Sequence, residues 1–509
     1  METTHKVENE SYSPPDRSFE GPNLNAYYAY TESLQNLGEA LNKETKANSE
    51  FKIIKGENSK VKNIAKSSFA IPIDQSNIQA SKEIKDLIQF IKASPTSYHA
   101  GEASRRLCVE QNGFTELKEN QPWKIVCGGK YFVSRDISTF IAFVMPTNKP
   151  ESACILGAHT DSPGLKLKPE PNKKVDNASL LCPEIYGGPI LPSWLGQGLG
   201  LAGRITYLNN KKEKECSLID FEKTIAVIPY LAIHLERTQK EKVEINAQDH
   251  LPAVCWLQTE EDSPFNLEVE LKKLVPISKL LSHELFFVPR GEPEIINGQL
   301  LHSQRLDNLL GTHASLCALL DSQTPEEGQI KAVICWDHEE VGSNSQNGAS
   351  SNFLDSVLTR MSNASGLNLE EVAILKANSG LISIDVAHGR HPNYFGKHEP
   401  NNAPLLGKGP VIKHHASQSY ATTSPTSAWI KQAGIQCNIP IQEFCIKSDT
   451  LCGSTIGNIA APRLGIRTVD IGAPIWGMHA MKETGTLVDH LYMCRLLKEL
   501  LSMNLSSNI

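Results

Sequence analysis

The sequence lacks three features, and each absence argues against a class of protein. Its 12 cysteines include no C-x-x-C pair and no closely spaced framework, which argues against a disulfide-stapled secreted fold. No apolar run reaches the length of a membrane span, and the N-terminal stretch METTHKVENESYSPPDRSFEGPN has no apolar signal-peptide core. The 50 basic residues do not outnumber the 57 acidic ones, and the formal net charge is -7. We therefore expect a cytoplasmic protein that binds neither nucleic acid nor membranes.

Composition divides the 509 residues, of which 40% are hydrophobic, into an extension and a folded part. Residues 1–78 are rich in Asn, Ser, Lys and Glu with few apolar clusters, which predicts a mostly disordered extension in which 27-YYAYTESLQNLGEAL has the composition of a short helix. From Ser81, the stretch SKEIKDLIQFIKAS has apolar residues at helical spacing behind a serine cap, and Pro95 ends this helix. The folded part is long enough for two or three domains.

Four later segments share one design, a short β-rich apolar run that ends in a residue capable of binding metal. They are 153-ACILGAHTD, 331-KAVICWDHEE, 381-LISIDVAHG and 467-RTVDIGAPIWGMH. Helical stretches separate them, at residues 308–320, 353–361 and 487–501. This alternation predicts an α/β fold with a mixed, mostly parallel sheet flanked by helices, which binds ligands at the carboxyl ends of its strands.

Polar residues at these strand ends are expected to converge although they are far apart in sequence. The residues concerned are His159, Glu339, Glu340, Asp385 and His479. Asp307 lies just before an amphipathic helix, where it serves either as the N-cap or as a further ligand in the same crevice. Two imidazoles with several carboxylates suit a pair of divalent ions bridged by one carboxylate. Zinc fits best, with Mn²⁺ or Co²⁺ as other occupants.

Two short motifs suggest a division of roles within this set. In 159-HTD, side chains two apart on a strand point to the same side, so Asp161 can accept a hydrogen bond from His159 and fix its tautomer. The adjacent Glu339 and Glu340 cannot easily face one point, which suggests that one binds metal while the other transfers protons. The residues alone leave open which glutamate does which. Each motif by itself is more often a solvated or hydrogen-bonded group on the protein surface, but the recurrence of such residues after separate apolar runs favours the metal site.

At this point the motifs resemble a known family, the aspartyl aminopeptidases, which are di-zinc exopeptidases. The similarity runs from about Ser81 to the C-terminus in unbroken order. Its main segments are FIKASPTSYHA (90–100), GAHTDSPGLKLKP (157–169), IPYLAIHLER (228–237), RLDNL (305–309), DHEEVGS (337–343), GPVIK (409–413), DTLCGSTIG (449–457) and GMHAMKE (477–483).

The resemblance implies a particular arrangement of two zinc ions per subunit. One zinc is then held by His159, Asp307 and Asp385. The other is held by Asp307, Glu340 and His479, so that Asp307 is the bridge.

The resemblance also implies roles for four residues around the metals. Glu339 becomes the general base, and Asp161 orients the first histidine ligand. Lys413, in GPVIK, matches the position that supplies a cation for an acidic substrate side chain. His234 matches a histidine that reaches into the active site of a neighbouring subunit. The implied activity is removal of one N-terminal residue at a time from peptides with a free N-terminus, with a preference for Asp or Glu.

An inserted, mainly β domain is a further implication of the resemblance. Residues 79–174 and 291–509 then form the catalytic domain, and residues 175–290 form a dimerisation domain within a dimer-based dodecamer. Strand-like alternation in 203-GRITYLNN and 265-FNLEVELKKLVPI is consistent with this interpretation.

Three alternatives remain open at this stage. The first is a metallo-aminopeptidase or amidohydrolase with a preference for neutral side chains. The second, from a different class, is a non-catalytic assembly or cargo protein that keeps the fold. The third is a coincidence of surface charges without a metal.

Overall fold

A computed structural model describes residues 75–259, 265–325 and 328–505. The predicted disorder of residues 1–78 and the helix within residues 27–41 lie outside this part, apart from the start of a 3₁₀-helix at Gln75–Ala80. Within the described residues, every helix is too short or too polar to span a bilayer.

Ten α-helices are described, and Arg106–Gln111 continues the second of them as a π-helical turn. They are α1 (Lys82–Lys92), α2 (Ser97–Arg105), α3 (Ala247–His250), α4 (Leu267–Lys272), α5 (Leu306–Leu320), α6 (Phe353–Ala364), α7 (Leu369–Ala377), α8 (Ser424–Gln436), α9 (Ile456–Leu464) and α10 (Leu487–Leu500).

The described strands are short in most of the chain and longest in its middle part. They are β1 (Thr115–Leu117), β2 (Lys130–Arg135), β3 (Thr139–Val144), β4 (Ser152–His159), β5 (Gly164–Val175), β6 (Ala178–Tyr186), β7 (Gly198–Asn209), β8 (Lys214–Asp220), β9 (Ala226–Val227), β10 (Ala253–Leu257), β11 (Ile277–Pro289), β12 (Glu294–Ile296), β13 (Leu300–Ser303), β14 (Gln329–Trp336), β15 (Gly380–Ile384), β16 (Ala387–His388), β17 (Val411–His414), β18 (Gln442–Cys445), β19 (Arg467–Gly472), β20 (Pro474–Ile475) and β21 (Glu483–Thr486).

A central sheet of nine strands has the order β1-β2-β3-β14-β4-β15-β19-β17-β18. Its middle strands β14, β4, β15 and β19 are parallel, and antiparallel pairs occur towards both sides. The middle strands are buried on both faces because neighbouring side chains enter different cores. Ile155 packs with helices α6, α7 and α9, whereas Leu156 packs with α1, α5, α8 and α10. The predicted mixed, mostly parallel sheet between helices is confirmed.

A second sheet forms a closed ring between β4 and β12 in the chain. The strand order is β11-β5-β6-β10-β9-β7-β8, and an additional pairing of β11 with β7 closes the ring. Its interior is filled by apolar side chains such as Leu165, Leu201 and Phe287. The ring begins at Gly164, before the expected boundary at Val175, because β5 continues directly from the turn after His159.

The local predictions are largely confirmed, with one correction. Helix α1 begins after Ser81, whose hydroxyl accepts a hydrogen bond from the Ile84 amide, and all four metal-motif segments contain the predicted strands. The prediction of strand-like structure from Phe265 onward is wrong at its start, where helix α4 forms. The Asn266 side chain caps this helix, and Leu267 and Leu271, one helical turn apart, are both buried.

Candidate metal centre

The candidate site lies at the carboxyl ends of three adjacent parallel strands. His159 is the last residue of β4, and Trp336 at the end of β14 lies beside it in register. After β14 the chain turns through a 3₁₀ segment, Glu339–Val341, and Asp385 directly follows β15. Parallel pairing therefore brings residues from distant parts of the sequence to one edge of the sheet.

Asp307 lies opposite these strand ends, in the first turn of α5. The backbone angles of Asp307 and Asn308 are not helical, and the cap position is taken by Arg305, whose side chain makes no cap hydrogen bond. The alternative in which Asp307 caps the helix is therefore not observed. Its carboxylate instead faces two histidines: Oδ1 is 3.3 Å from His159 Nε2 and Oδ2 is 3.4 Å from His479 Nε2.

Each histidine has a further carboxylate close to the same ring nitrogen. Asp385 Oδ1 is 3.4 Å from His159 Nε2, and Glu340 Oε2 is 3.4 Å from His479 Nε2. In both triads the ligand atoms all lie within 4.8 Å of one another, and so do those of His159, Glu339 and Glu340. The arrangement offers two adjacent cation positions that share Asp307.

The carboxylates of this cluster lie close together and are buried, so a nearby positive charge would stabilise them. Burial, followed by the charge of Asp307, raises the pKa of Glu340, and burial is also the main cause that raises the pKa of Glu339 to about 8. Asp307 Oδ1 and Glu340 Oε1 are buried and have no hydrogen-bond partner. Crowded, incompletely paired carboxylates are costly to bury, so these residues fit a pair of bound cations.

Asp161 contacts both His159 and the segment that carries Glu339 and Glu340. Its Oδ1 lies 3.4 Å from His159 Nδ1 and accepts a hydrogen bond from the Glu339 amide at 3.1 Å. Its Oδ2 accepts hydrogen bonds from the Glu340 amide at 3.1 Å and from the Tyr186 hydroxyl at 2.8 Å. The Asp161 carbonyl oxygen also lies 3.2 Å from His159 Nδ1, so this residue contacts the histidine through its backbone and its side chain and holds the backbone amides of both glutamates.

Two residues that the sequence did not single out, Glu483 and Gly188, contact Asp307 and His479. Glu483 accepts hydrogen bonds from the backbone amides of Asp307 at 2.9 Å and His479 at 2.8 Å. The carbonyl of Gly188 lies 3.1 Å from His479 Nδ1, which leaves Nε2 directed at the carboxylates. The H-x-x-x-E spacing of His479 and Glu483 was visible in the sequence, but nothing there indicated that Glu483 would contact backbone amides.

Lys413 lies beside the other end of the site. Its buried ammonium donates a hydrogen bond to Asp385 Oδ2 at 3.1 Å. Burial raises the pKa of Asp385, but Lys413 and His159 together bring it below the ordinary value. Gly472 of β19 allows the close approach of this strand, because a Cβ there would collide with the backbone oxygen of Asp385.

His234 is not brought to the metal ligands within this chain. It lies in an exposed turn of the insertion between β9 and α3. The neighbouring side chains Tyr230, Leu231, Ile233 and Leu235 are exposed apolar groups. An exposed apolar segment of this kind is typical of a surface that contacts another protein.

Comparison with known proteins identifies the family to which the chain belongs. Residues 90–501 match the family model described as aminopeptidase I zinc metalloprotease (M18). The chain belongs to this family of zinc metallo-aminopeptidases. The resemblance seen in the motifs is thereby confirmed, and so are the metallo-aminopeptidase class and the use of zinc.

Individual proteins and solved structures are similar to this chain over most of its length. A probable M18 family aminopeptidase 2 of Pseudomonas savastanoi pv. phaseolicola is 41% identical over 420 residues, which are 81% of this chain and 96% of that protein. The solved structure of an Ape4 and Nbr1 complex matches with 32% identity and a TM-score of 0.79, covering 85% of this chain and 87% of the other. The S. cerevisiae mApe1 dodecamer matches with 25% identity and a TM-score of 0.70, covering 83% and 97%.

Proposed function

We propose that this chain is a two-zinc aminopeptidase that removes N-terminal residues from peptides and prefers Asp or Glu. The observation that carries the proposal is the carboxylate of Asp307, whose two oxygens face His159 and His479 separately. One ion would be held by His159, Asp307 and Asp385, and the other by Asp307, Glu340 and His479, as the groups of neighbouring ligand atoms suggest.

Bound zinc would supply a Lewis acid that polarises the scissile carbonyl and makes water more acidic. Glu339 is the residue proposed to move the proton. It accepts a proton from the attacking water and delivers it to the nitrogen of the leaving amine. Its backbone amide donates a hydrogen bond to Asp161, and its carboxylate lies within 4.8 Å of the ligand atoms of His159 and Glu340. The surplus of carboxylates at this edge also suits the positive charge of a free peptide N-terminus.

Preference for an acidic first residue is attributed to Lys413, the buried cation next to Asp385. We expect Lys413→Met to lower kcat/KM for Asp- and Glu-linked chromogenic substrates by at least about 10-fold more than for a Leu-linked one, because charged hydrogen bonds contribute about 1.5–3 kcal/mol. The test is a panel of the three substrates on wild type and variant. Lys431→Met, at a half-exposed lysine paired with Glu443, is the control and should leave the ratios unchanged.

The contact of Lys413 with Asp385 supports a second candidate function, a peptidase that prefers neutral N-terminal residues. In that case the ammonium of Lys413 is already used to hold Asp385 and does not bind the substrate side chain. If Lys413 serves only to hold Asp385, the variant will lose activity equally on all three substrates and bind its metals less tightly. That result would remove the acidic preference from the proposal and leave the peptidase activity in place.

A homo-oligomer based on dimers, up to a dodecamer, is proposed from the mApe1 dodecamer and from the exposed apolar turn around His234. Residues 175–290 would be the dimerisation domain between the catalytic segments 79–174 and 291–509, and the strand ring that these residues close together with β5 would present that turn. In this arrangement His234 of one subunit completes the site of its neighbour.

Subunit complementation tests the role of His234. His234→Ala and Glu339→Gln should each be nearly inactive alone, but their co-expressed hetero-oligomer should regain activity, because one chain supplies Glu339 and the other supplies His234. Hydrolysis by purified, doubly tagged hetero-oligomers is the measurement. His250→Ala, at another exposed histidine of the insertion, is the matched control and should be active alone. A hetero-oligomer no more active than its parents would contradict the shared site.

A further inference from the structure

Two helices that pack together carry the same short motif. Helix α5 contains 313-HASLC and helix α10 contains 490-HLYMC, so each has a histidine followed four residues later by a cysteine. Residues four apart lie on the same helical face. The faces meet, since His313 Nδ1 lies 3.0 Å from His490 Nε2 and the two rings have centroids 5.1 Å apart.

The sulfur atoms complete a compact group. Cys317 Sγ is 3.6 Å from both ring nitrogens of His313, and Cys494 Sγ is 3.5 Å from His490 Nε2. The ligand atoms of His313, Cys317 and Cys494 all lie within 4.8 Å of one another. A tetrahedral zinc ion, with Zn–N of about 2.0 Å and Zn–S of about 2.3 Å, needs ligand atoms about 3.3–3.8 Å apart. The group therefore needs little movement to accept such an ion.

The group is enclosed, and Cys317 and His490 are in protonation states that suit metal binding. The hydrogen bond to Cys317 and burial instead raise the pKa of Cys494, which therefore loses its proton only on binding. His313, His490 and Cys494 are buried, and Cys317 is partly exposed, which gives access from solvent. A hydrogen bond from Cys494 and the charge of His313 lower the pKa of Cys317 to about 5, despite its burial. Burial lowers the pKa of His490, so its ring is neutral, and its buried Nδ1 has no hydrogen-bond partner. Thiolate and neutral imidazole are the forms that ligate metals.

We propose that His313, Cys317 and Cys494 form a second metal site, with His490 beside them, which takes zinc or another thiophilic divalent cation and links α5 to α10. None of these residues belongs to the ligand set around Asp307. Binding exchanges the remaining thiol proton for a sulfur–metal bond and releases that proton to solvent. His490 Nε2, 3.5 Å from Cys494 Sγ, is near enough to supply a fourth ligand after a small movement of its ring, and the closed set that results would make this site structural.

Cobalt substitution tests the proposal without measuring peptide hydrolysis. The full-length protein is stripped of metal in the presence of a thiol-free reductant and reloaded with Co²⁺. The ligands proposed around Asp307 include no cysteine, so absorption from thiolate-to-cobalt charge transfer reports on the second site alone. We expect this absorption in wild type and in Asp307→Asn. It should be lost in the Cys317→Ser/Cys494→Ser double variant.

The double variant could also lose the absorption because it fails to fold, and two further variants distinguish these causes. Cys317→Ser, at the partly exposed position, should fold and lose roughly half of the charge-transfer intensity, because one of two thiolate ligands remains. Cys108→Ser removes a buried cysteine outside the group and should leave the intensity unchanged. The proposal is overturned if wild type shows no such absorption, if the double variant keeps it, or if Cys317 and Cys494 form a disulfide under reductant. Because hydrolysis is not measured, these outcomes are separate from failure of the peptidase proposal.

Discussion

Replacing Glu339 with glutamine should leave metal content and assembly unchanged while lowering kcat by about 10²–10⁴-fold, the usual contribution of a general base. The amide has nearly the same shape but cannot accept the proton. The backbone amide that donates to Asp161 is also unaffected by the substitution. The measurement is kcat on an N-terminal Asp substrate, with zinc per subunit and oligomer mass determined on the same sample.

Glu370→Gln provides the control for this prediction. It is the same chemical change at an exposed position in the first turn of α7, and it should leave kcat within error of wild type. Near-normal turnover by Glu339→Gln with zinc in place would eliminate Glu339 as the base. Loss of zinc together with activity would instead make Glu339 a ligand and leave the base unassigned.

Asp307→Asn should produce the largest loss of metal, because a single carboxylate serves both proposed positions. The variant replaces one charged oxygen by an amide nitrogen that cannot ligate zinc. We expect the affinity for both ions to fall by more than the 10–100-fold typical of changes around a metal ligand, with hydrolysis lost in parallel. Zinc per subunit after dialysis against a graded chelator series is the measurement.

His479→Ala gives the internal comparison for Asp307→Asn. It should weaken only the position next to Glu340, so that one ion is released at lower chelator concentration than the other. Asp86→Asn, on the exposed side of α1, serves as the unaffected control. If, in the Cys317→Ser/Cys494→Ser background that removes the separate cysteine site, Asp307→Asn releases one ion and retains the other at wild-type affinity, Asp307 is not a bridge.

The parts of the site that depend on strand ends could be predicted from the sequence. His159, Glu339, Glu340 and Asp385 follow buried apolar runs, and parallel pairing necessarily places the ends of such runs at one edge. The role of Asp307 was left open, because the same position before a helix suits a cap. Only the backbone geometry at the start of α5 distinguishes the two arrangements.

Other contacts could not be predicted because they depend on how distant segments pack. Tyr186 comes from the insertion, and its bond to Asp161 exists only because β6 ends beside the sheet edge. The apolar residues of α4 alternate as in a strand, which is why it was predicted as one, but only Leu267 and Leu271, four apart, are buried and Val269 is exposed. The paired H-x-x-x-C motifs at His313 and His490 were readable in the sequence, but their proximity required the packing of α5 on α10.

The ring of strands described for the insertion has its first and last members as direct neighbours. Leu165 of β5 pairs with Phe287 of β11, so the chain leaves and re-enters the catalytic part at almost the same place. Residues added to or removed from the loops of the insertion that lie far from β5 and β11 would therefore change the size of the insertion without separating Asp161 from Asp307. The chain can vary in length there while the spacing of the residues in the candidate metal centre stays constant.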